Sequence, residues 1–169
     1  MKRRLFCLLG PLALGTGLSA CGFRLRGAQS FSFQRIAVLP RPGGPLATEL
    51  RRNLAASVTV LAANEAPDTA QVVLELLQEQ REKTVVGVNA SGQVREFQLR
   101  IRVRFRLRTP QGQELIPETQ LLQQRDISFN ESAVLAKEAE EGLLYRDMQS
   151  DLVQQLLRRL AAVAYAAGP

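Results

Sequence analysis

Between positions 97 and 107 the chain alternates without a break. Phe97, Leu99, Ile101, Val103, Phe105 and Leu107 are apolar; Gln98, Arg100, Arg102, Arg104 and Arg106 lie between them, with Arg108 just beyond. A strict period of two marks a β-strand with one buried face and one wet face. A helix would scatter the arginines around its circumference and leave no apolar stripe. At roughly 3.3 Å per residue this strand runs about 36 Å, enough to cross a small domain, and it is expected to be central.

The flanking segments supply its neighbours. Arg35 to Leu39 reads as a short buried strand stopped by Pro40 and Pro42. The Pro42-Gly43-Gly44 turn hands Pro45 to the first turn of a helix. Leu46, Leu50, Leu54, Val58 and Leu61 recur at helical spacing and extend that helix to about Asn64, ahead of Pro67. Residues 70–84 form a second strand, with Val72, Leu74 and Leu76 on one face and Val73, Glu75, Leu77 and Glu79 on the other. A glycine-flanked loop at 87–92 leads into the arginine strand, and Thr109-Pro110-Gln111-Gly112 turns out of it. Residues 115–129 make a fourth strand in which Leu115, Leu121, Ile127 and Phe129 share a parity. Pro117 has no N–H to give a ladder, so this strand is an edge or bulges there. Asn130 or Ser132 caps a last helix running to about Ala162, with Leu144, Met148, Leu152, Leu156 and Leu160 as its buried stripe. The order β-α-β-β-β-α predicts an α+β fold, a four-stranded mixed sheet with two helices packed on one face.

The first twenty residues stand apart. Lys2, Arg3 and Arg4 precede an apolar run from Leu5 to Leu18, and Leu18-Ser19-Ala20 leads into Cys21. A charged start, a short apolar middle and small residues before a cut site describe an export signal, too short to span a bilayer. Its removal lowers the net charge from +6 to +3 and leaves Cys21 as the one cysteine, so no internal disulfide can form. Leu-Ser-Ala-Cys has the shape of a bacterial lipoprotein box, in which the cysteine is acylated. Three acyl chains at about 0.8 kcal/mol per buried methylene would anchor the chain essentially permanently. By resemblance to such lipoproteins, Gly22 does not mark the protein for retention in the inner membrane. The expected partition is a signal peptide at 1–20, a tether at 21–34, one α+β domain at 35–165 and a tail at 166–169.

The wet face of the long strand raises the question of a partner. Its parity sets Glu75 and Glu79 beside the arginines on one side. If Leu107 faces Leu115, Glu118 falls opposite Arg104 on the other. Three carboxylates do not offset five arginines. The face is then either a solvated surface with ion pairs or a cationic surface for a phosphorylated glycolipid or an acidic protein wall. Nucleic acid is disfavoured, because no aromatic lies on this face to stack a base. The chain has no histidine, no GxSxG and no phosphate-cradling Gly-Lys-Ser/Thr loop, and it has no cysteine or histidine cluster for zinc. Glu138, Glu140 and Glu141 fit a charged helix face. No enzyme, metal or cofactor is expected.

Several pieces, in order along nearly the whole chain, carry a resemblance. They are Cys21-Gly22-Phe23-Arg24-Leu25-Arg26-Gly27, Gly44-Pro45-Leu46, Gly92-Gln93 before Glu96-Phe97-Gln98-Leu99, Leu135-Ala136-Lys137, and Tyr145 in a helix ending Gln155-Leu156-Leu157-Arg158-Arg159-Leu160. Together they resemble the lipopolysaccharide (LPS)-assembly lipoprotein family LptE of Gram-negative bacteria. The resemblance implies an outer-membrane lipoprotein, anchored through Cys21, whose domain sits inside the β-barrel of LptD. There it plugs the barrel, assists its assembly and helps deliver LPS to the outer leaflet. It also implies LPS binding at Lys137; Arg95, Arg100 and Arg102 are further cationic candidates. Where members carry a basic residue at the hairpin tip, this chain has Asn89-Ala90-Ser91, with Lys83 and Arg95 further down the strands. The competing reading is a different outer-membrane lipoprotein scaffold, for barrel assembly or peptidoglycan association, without LPS binding.

Overall fold

The computed structural model describes residues 29–165. In chain order its elements are β1 (Arg35–Leu39), α1 (Pro45–Leu54), β2 (Thr59–Val60), β3 (Val72–Val88), β4 (Val94–Arg108), β5 (Glu114–Ser128) and α2 (Val134–Ala161). The sheet runs β2-β1-β3-β4-β5. β1 is parallel to both of its neighbours, and the other pairings are antiparallel. The α+β class and the mixed sheet are as expected, but the sheet has five strands rather than four.

The additional strand comes from residues assigned above to the first helix. α1 ends at Leu54, and its last carbonyl accepts from the amides of Ser57 and Val58 as the chain turns back. The β-branched run Val58-Thr59-Val60 then prefers extended backbone, and Thr59 donates to the Gln34 carbonyl at 2.8 Å. Leu61 packs not under the helix but with Ala37, Ala70 and Val73 in a small second cluster.

Both helices cover one face of the sheet. Leu46, Leu50 and Leu54 of α1 and Met148, Leu152, Leu156 and Leu160 of α2 are fully buried against the apolar parity of β4, while Leu144 is only partly buried. Packing also begins earlier than the predicted tether boundary at 34. Phe33 is 1 % exposed and belongs to the core. The Ser32 hydroxyl donates to the Val163 carbonyl at 2.6 Å and accepts from the Tyr165 amide at 3.0 Å. The signal peptide, Cys21 and the 166–169 tail lie outside the described residues.

A bulge in β3 reassigns its faces. Leu74 pairs with Leu107, Glu75 with Arg106 and Leu76 with Phe105; Leu77 is then an extra residue, and pairing resumes with Gln78 opposite Arg104. Because side chains alternate, one inserted residue moves every later one to the opposite face. Glu79 therefore stands opposite Val103 on the helix side, not beside the arginines as the unbroken alternation predicted. Gln80 and Glu82 turn to the arginine side, and Arg81 and Lys83 turn to the helices.

Glu79 has a structural task in its new place. Gly44, the residue capping α1, has no side chain to bond the first amides, and the Glu79 carboxylate instead accepts from the Leu46 amide. Burial pushes this carboxyl above the usual range, against the opposing charge of Arg81 and the Leu46 hydrogen bond. The approach is close enough that a Cβ on Gly44 would lie 2.5 Å from Glu79 Oε2, which is why glycine suits the position.

The β4–β5 ladder slips as well. Phe105 faces Thr119 but Leu107 faces Ile116, not Leu115. Pro117 falls within this irregularity and β5 is an edge strand, so both roles anticipated for that proline are realised. Arg104 stands opposite Gln120 and reaches diagonally to Glu118 at 3.2 Å.

Candidate functional site

Two surfaces carry the charged residues singled out by the sequence. On the open face of the sheet, Arg100, Arg102, Arg104, Arg106 and Arg108 form a column down β4. Glu75 bonds Arg106 and Arg108, Glu82 lies 3.7 Å from Arg102, and Glu118 pairs with Arg104. Glu114 stands opposite Arg108, and Asp126 stands opposite Gln98 and accepts from it at 3.0 Å. Glu96 shares the parity of the arginines at the far end of β4, so the face holds six carboxylates to five guanidiniums, and the cationic surplus expected from three carboxylates is absent. The bulge brought Glu82 here; Glu114 and Asp126 share the parity of Glu118 on β5, opposite to Leu121 and Ile127. Burial pushes the Glu75 carboxyl up, but the hydrogen bonds and charges of Arg106 and Arg108 outweigh it and hold it below the usual range. Arg100 makes no ion pair among the described residues, and the Nε atoms of Arg100 and Arg102 are buried without a hydrogen-bond partner.

The second surface lies on the helix side, at the end of the sheet where α2 begins. Asn130 opens this region: its side-chain oxygen accepts from the Ser132 amide at 3.0 Å and from the Ser132 hydroxyl at 2.9 Å. A short 3₁₀ turn follows and leads into α2, whose first turns overhang β3, β4 and β5. Between helix and sheet is a cleft of about 230 Å³, whose lining includes Lys83, Phe97, Phe129, Val134, Lys137 and Glu141. Phe97 and Phe129 meet edge to face, with ring centroids 5.2 Å apart.

Two ammonium groups stand in this cleft. Lys83 Nζ lies 4.3 Å from the centre of the Phe97 ring and 2.6 Å from Glu141 Oε2. Lys137 Nζ donates to Glu140 Oε2 at 2.8 Å and to the Ser128 hydroxyl at 3.0 Å. Val134, in the first turn of α2, lines the cleft and is 39 % exposed, and Glu138, one turn further on, lines it as well, so the lip is part apolar and part acidic. Paired cations on apolar, aromatic walls suit an amphipathic anion: phosphate to the lysines, hydrocarbon to the rings. Among the described residues no three His, Cys, Asp or Glu side chains are placed to hold a metal, and no helix is long and apolar enough to cross a membrane.

The sequence-derived candidates are thus divided. Lys137 lines the cleft. Arg95 shares the parity of Phe97 but is exposed beside the hairpin, 3.4 Å from Gln93 Oε1, and does not line it. Arg100 and Arg102 are on the opposite face of the sheet. Cys21 is outside the described residues. Lys83, Phe97 and Phe129 were not recognised as site residues. Lys83 reaches the cleft only because of the bulge at Leu77, for which the sequence carries no turn or glycine signal.

Comparison with known proteins bears on this arrangement. The family model described as LptE, lipopolysaccharide-assembly, matches residues 28–160. The LPS-assembly lipoprotein LptE of Pectobacterium atrosepticum is 30% identical over 167 residues, covering 96% of this chain and 88% of that protein. Its counterpart from Photorhabdus laumondii is 29% identical, with the same coverage of both. Among solved structures, lipoprotein B from Nitrosomonas europaea superposes with a TM-score of 0.71 at 33% identity, over 83% of this chain and 91% of that one. The rare lipoprotein B from Shewanella oneidensis, at 22% identity and a TM-score of 0.61, covers 76% of this chain and 95% of its own and shares the fold.

Proposed function

Because the chain belongs to the LptE family of lipopolysaccharide-assembly lipoproteins, we propose that it binds LPS in the cleft between α2 and the sheet and serves as the plug of an LptD-type barrel. It is a lipoprotein of the Gram-negative envelope. Acylation at Cys21 anchors it to the outer membrane, and the domain stands within the barrel lumen, assisting barrel assembly and passing LPS to the outer leaflet. Lys137 and Lys83 hold lipid A phosphates, while Phe97, Phe129 and Val134 shelter the proximal acyl carbons. The observation that carries this reading is the placement of two ammonium groups on an aromatic wall. The open face, where carboxylates compensate the arginines, is suited to the polar inner wall of a barrel, where uncompensated charge would be costly. Arg95, Arg100 and Arg102 are auxiliary cations on this view, outside the cleft. The role is binding and scaffolding rather than catalysis.

Mild detergent extraction of the full-length protein from membranes, with mass spectrometry of what accompanies it, tests the assignment. A large barrel protein of the LptD kind together with LPS is the expected outcome. Recovery with cell-wall material or with a different barrel-assembly complex, and no LPS, would replace it with the scaffold reading.

A further inference from the structure

We propose that Glu140 and Glu141 are built-in counter-ions of the cleft, so that an anionic lipid binds by displacing them and is released when they return. The inference rests on the LPS-binding reading above and concerns how that site is tuned. Neither lysine is bare: Glu141 lies 2.6 Å from Lys83 and Glu140 lies 2.8 Å from Lys137. Each pair is partly exposed, with side-chain accessibilities of 37 % and 22 % for Lys83 and Glu141, and 22 % and 49 % for Lys137 and Glu140. Ion pairs that reach water are weak, and a carboxylate swung outward recovers its hydration. A phosphate, with more charge and more acceptor oxygens, takes over the same ammonium protons. Glu141 and Glu138 line the cleft, and Glu140 reaches Lys137 from outside that lining, so rotation about the side-chain bonds of Glu140 and Glu141 frees both ammonium groups without moving backbone. Such an exchange holds cargo less tightly than two free lysines would, which suits a protein that must pass its ligand on.

The mechanism also alters the response to salt. Free lysines gather solution counter-ions that a ligand must release, making affinity fall steeply with ionic strength; lysines neutralised internally release few.

The test compares the full-length chain with Glu140→Gln/Glu141→Gln for binding of purified LPS across a salt series. Asp147→Asn, an exposed carboxylate further along α2, is the control. The double variant is expected to bind about fivefold tighter at low salt, within the range two exposed pairs allow, and to lose affinity more steeply as salt rises. Adding Lys83→Met and Lys137→Met should abolish both differences. If the unaltered chain binds LPS and the double variant binds it equally or more weakly, with an unchanged salt slope, the counter-ion role is overturned while LPS binding stands. If neither chain binds LPS, the cleft is not an LPS site and both readings fall.

Discussion

Reversing both cleft lysines, Lys83→Glu with Lys137→Glu, is expected to weaken LPS binding by about 30-fold while leaving the fold intact. If each ammonium contributes about 1 kcal/mol net to holding a phosphate, the two together are worth about 30-fold in Kd. The variant gathers five carboxylates about one mouth, with Glu138, Glu140 and Glu141 already present, and that field repels any phosphate. Folding is affected little, because the pairs broken are partly exposed and worth under about 1 kcal/mol each. Titration of LPS into the purified full-length variant, with a far-ultraviolet spectrum to confirm folding, measures this. Binding within about twofold of the original would remove the lysines from the site.

Phe105→Ala is expected to produce the largest loss of stability available from a single position on the arginine strand. Phe105 is fully buried, and it stands between Leu76 and Thr119 on its two neighbouring strands. Deleting its ring removes buried apolar surface and leaves a cavity under the helices, costing about 3–5 kcal/mol. For a domain of this size that is roughly 10–20 °C in Tm. Leu122→Ala provides the contrast. Leu122 lies across from Arg102 on the open face, is 44 % exposed, and should change stability by less than about 0.5 kcal/mol. Thermal unfolding of both variants reads the difference, and equal losses would place the core on the wrong side of β4.

The sequence was most informative where one period ran unbroken. β4 alternates from 97 to 107, and every one of its odd positions from Leu99 to Leu107 is buried. The stripe of α2 was equally plain, because Met148, Leu152, Leu156 and Leu160 repeat every fourth residue and nothing interrupts them. Legibility failed where the chain changes period without punctuation. Val58 and Leu61 fell on the helical spacing by coincidence, although the helix had ended at Leu54 and β-branched neighbours had already drawn the backbone into a strand. Leu77 inserts into β3 with no glycine or proline to mark it, yet this one residue sends Glu79 to cap α1 and brings Lys83 to the cleft. The charge balance of the open face was legible in part: Glu96, Glu114 and Asp126 carry the wet parity of their strands, and only Glu82 needed the bulge to reach the arginines. Lys137 was found through its motif, whereas its companions Lys83, Phe97 and Phe129 are joined to it only by the tertiary fold.

Site-specific photo-crosslinking in living cells distinguishes the two faces most directly. A photoreactive residue replacing Val134 sits at the lip of the cleft, and one replacing Gln124, which pairs with Arg100, sits on the open sheet. LPS adducts are expected at position 134 and not at 124. Adducts at 124 with none at 134 would contradict the cleft as the path of the lipid.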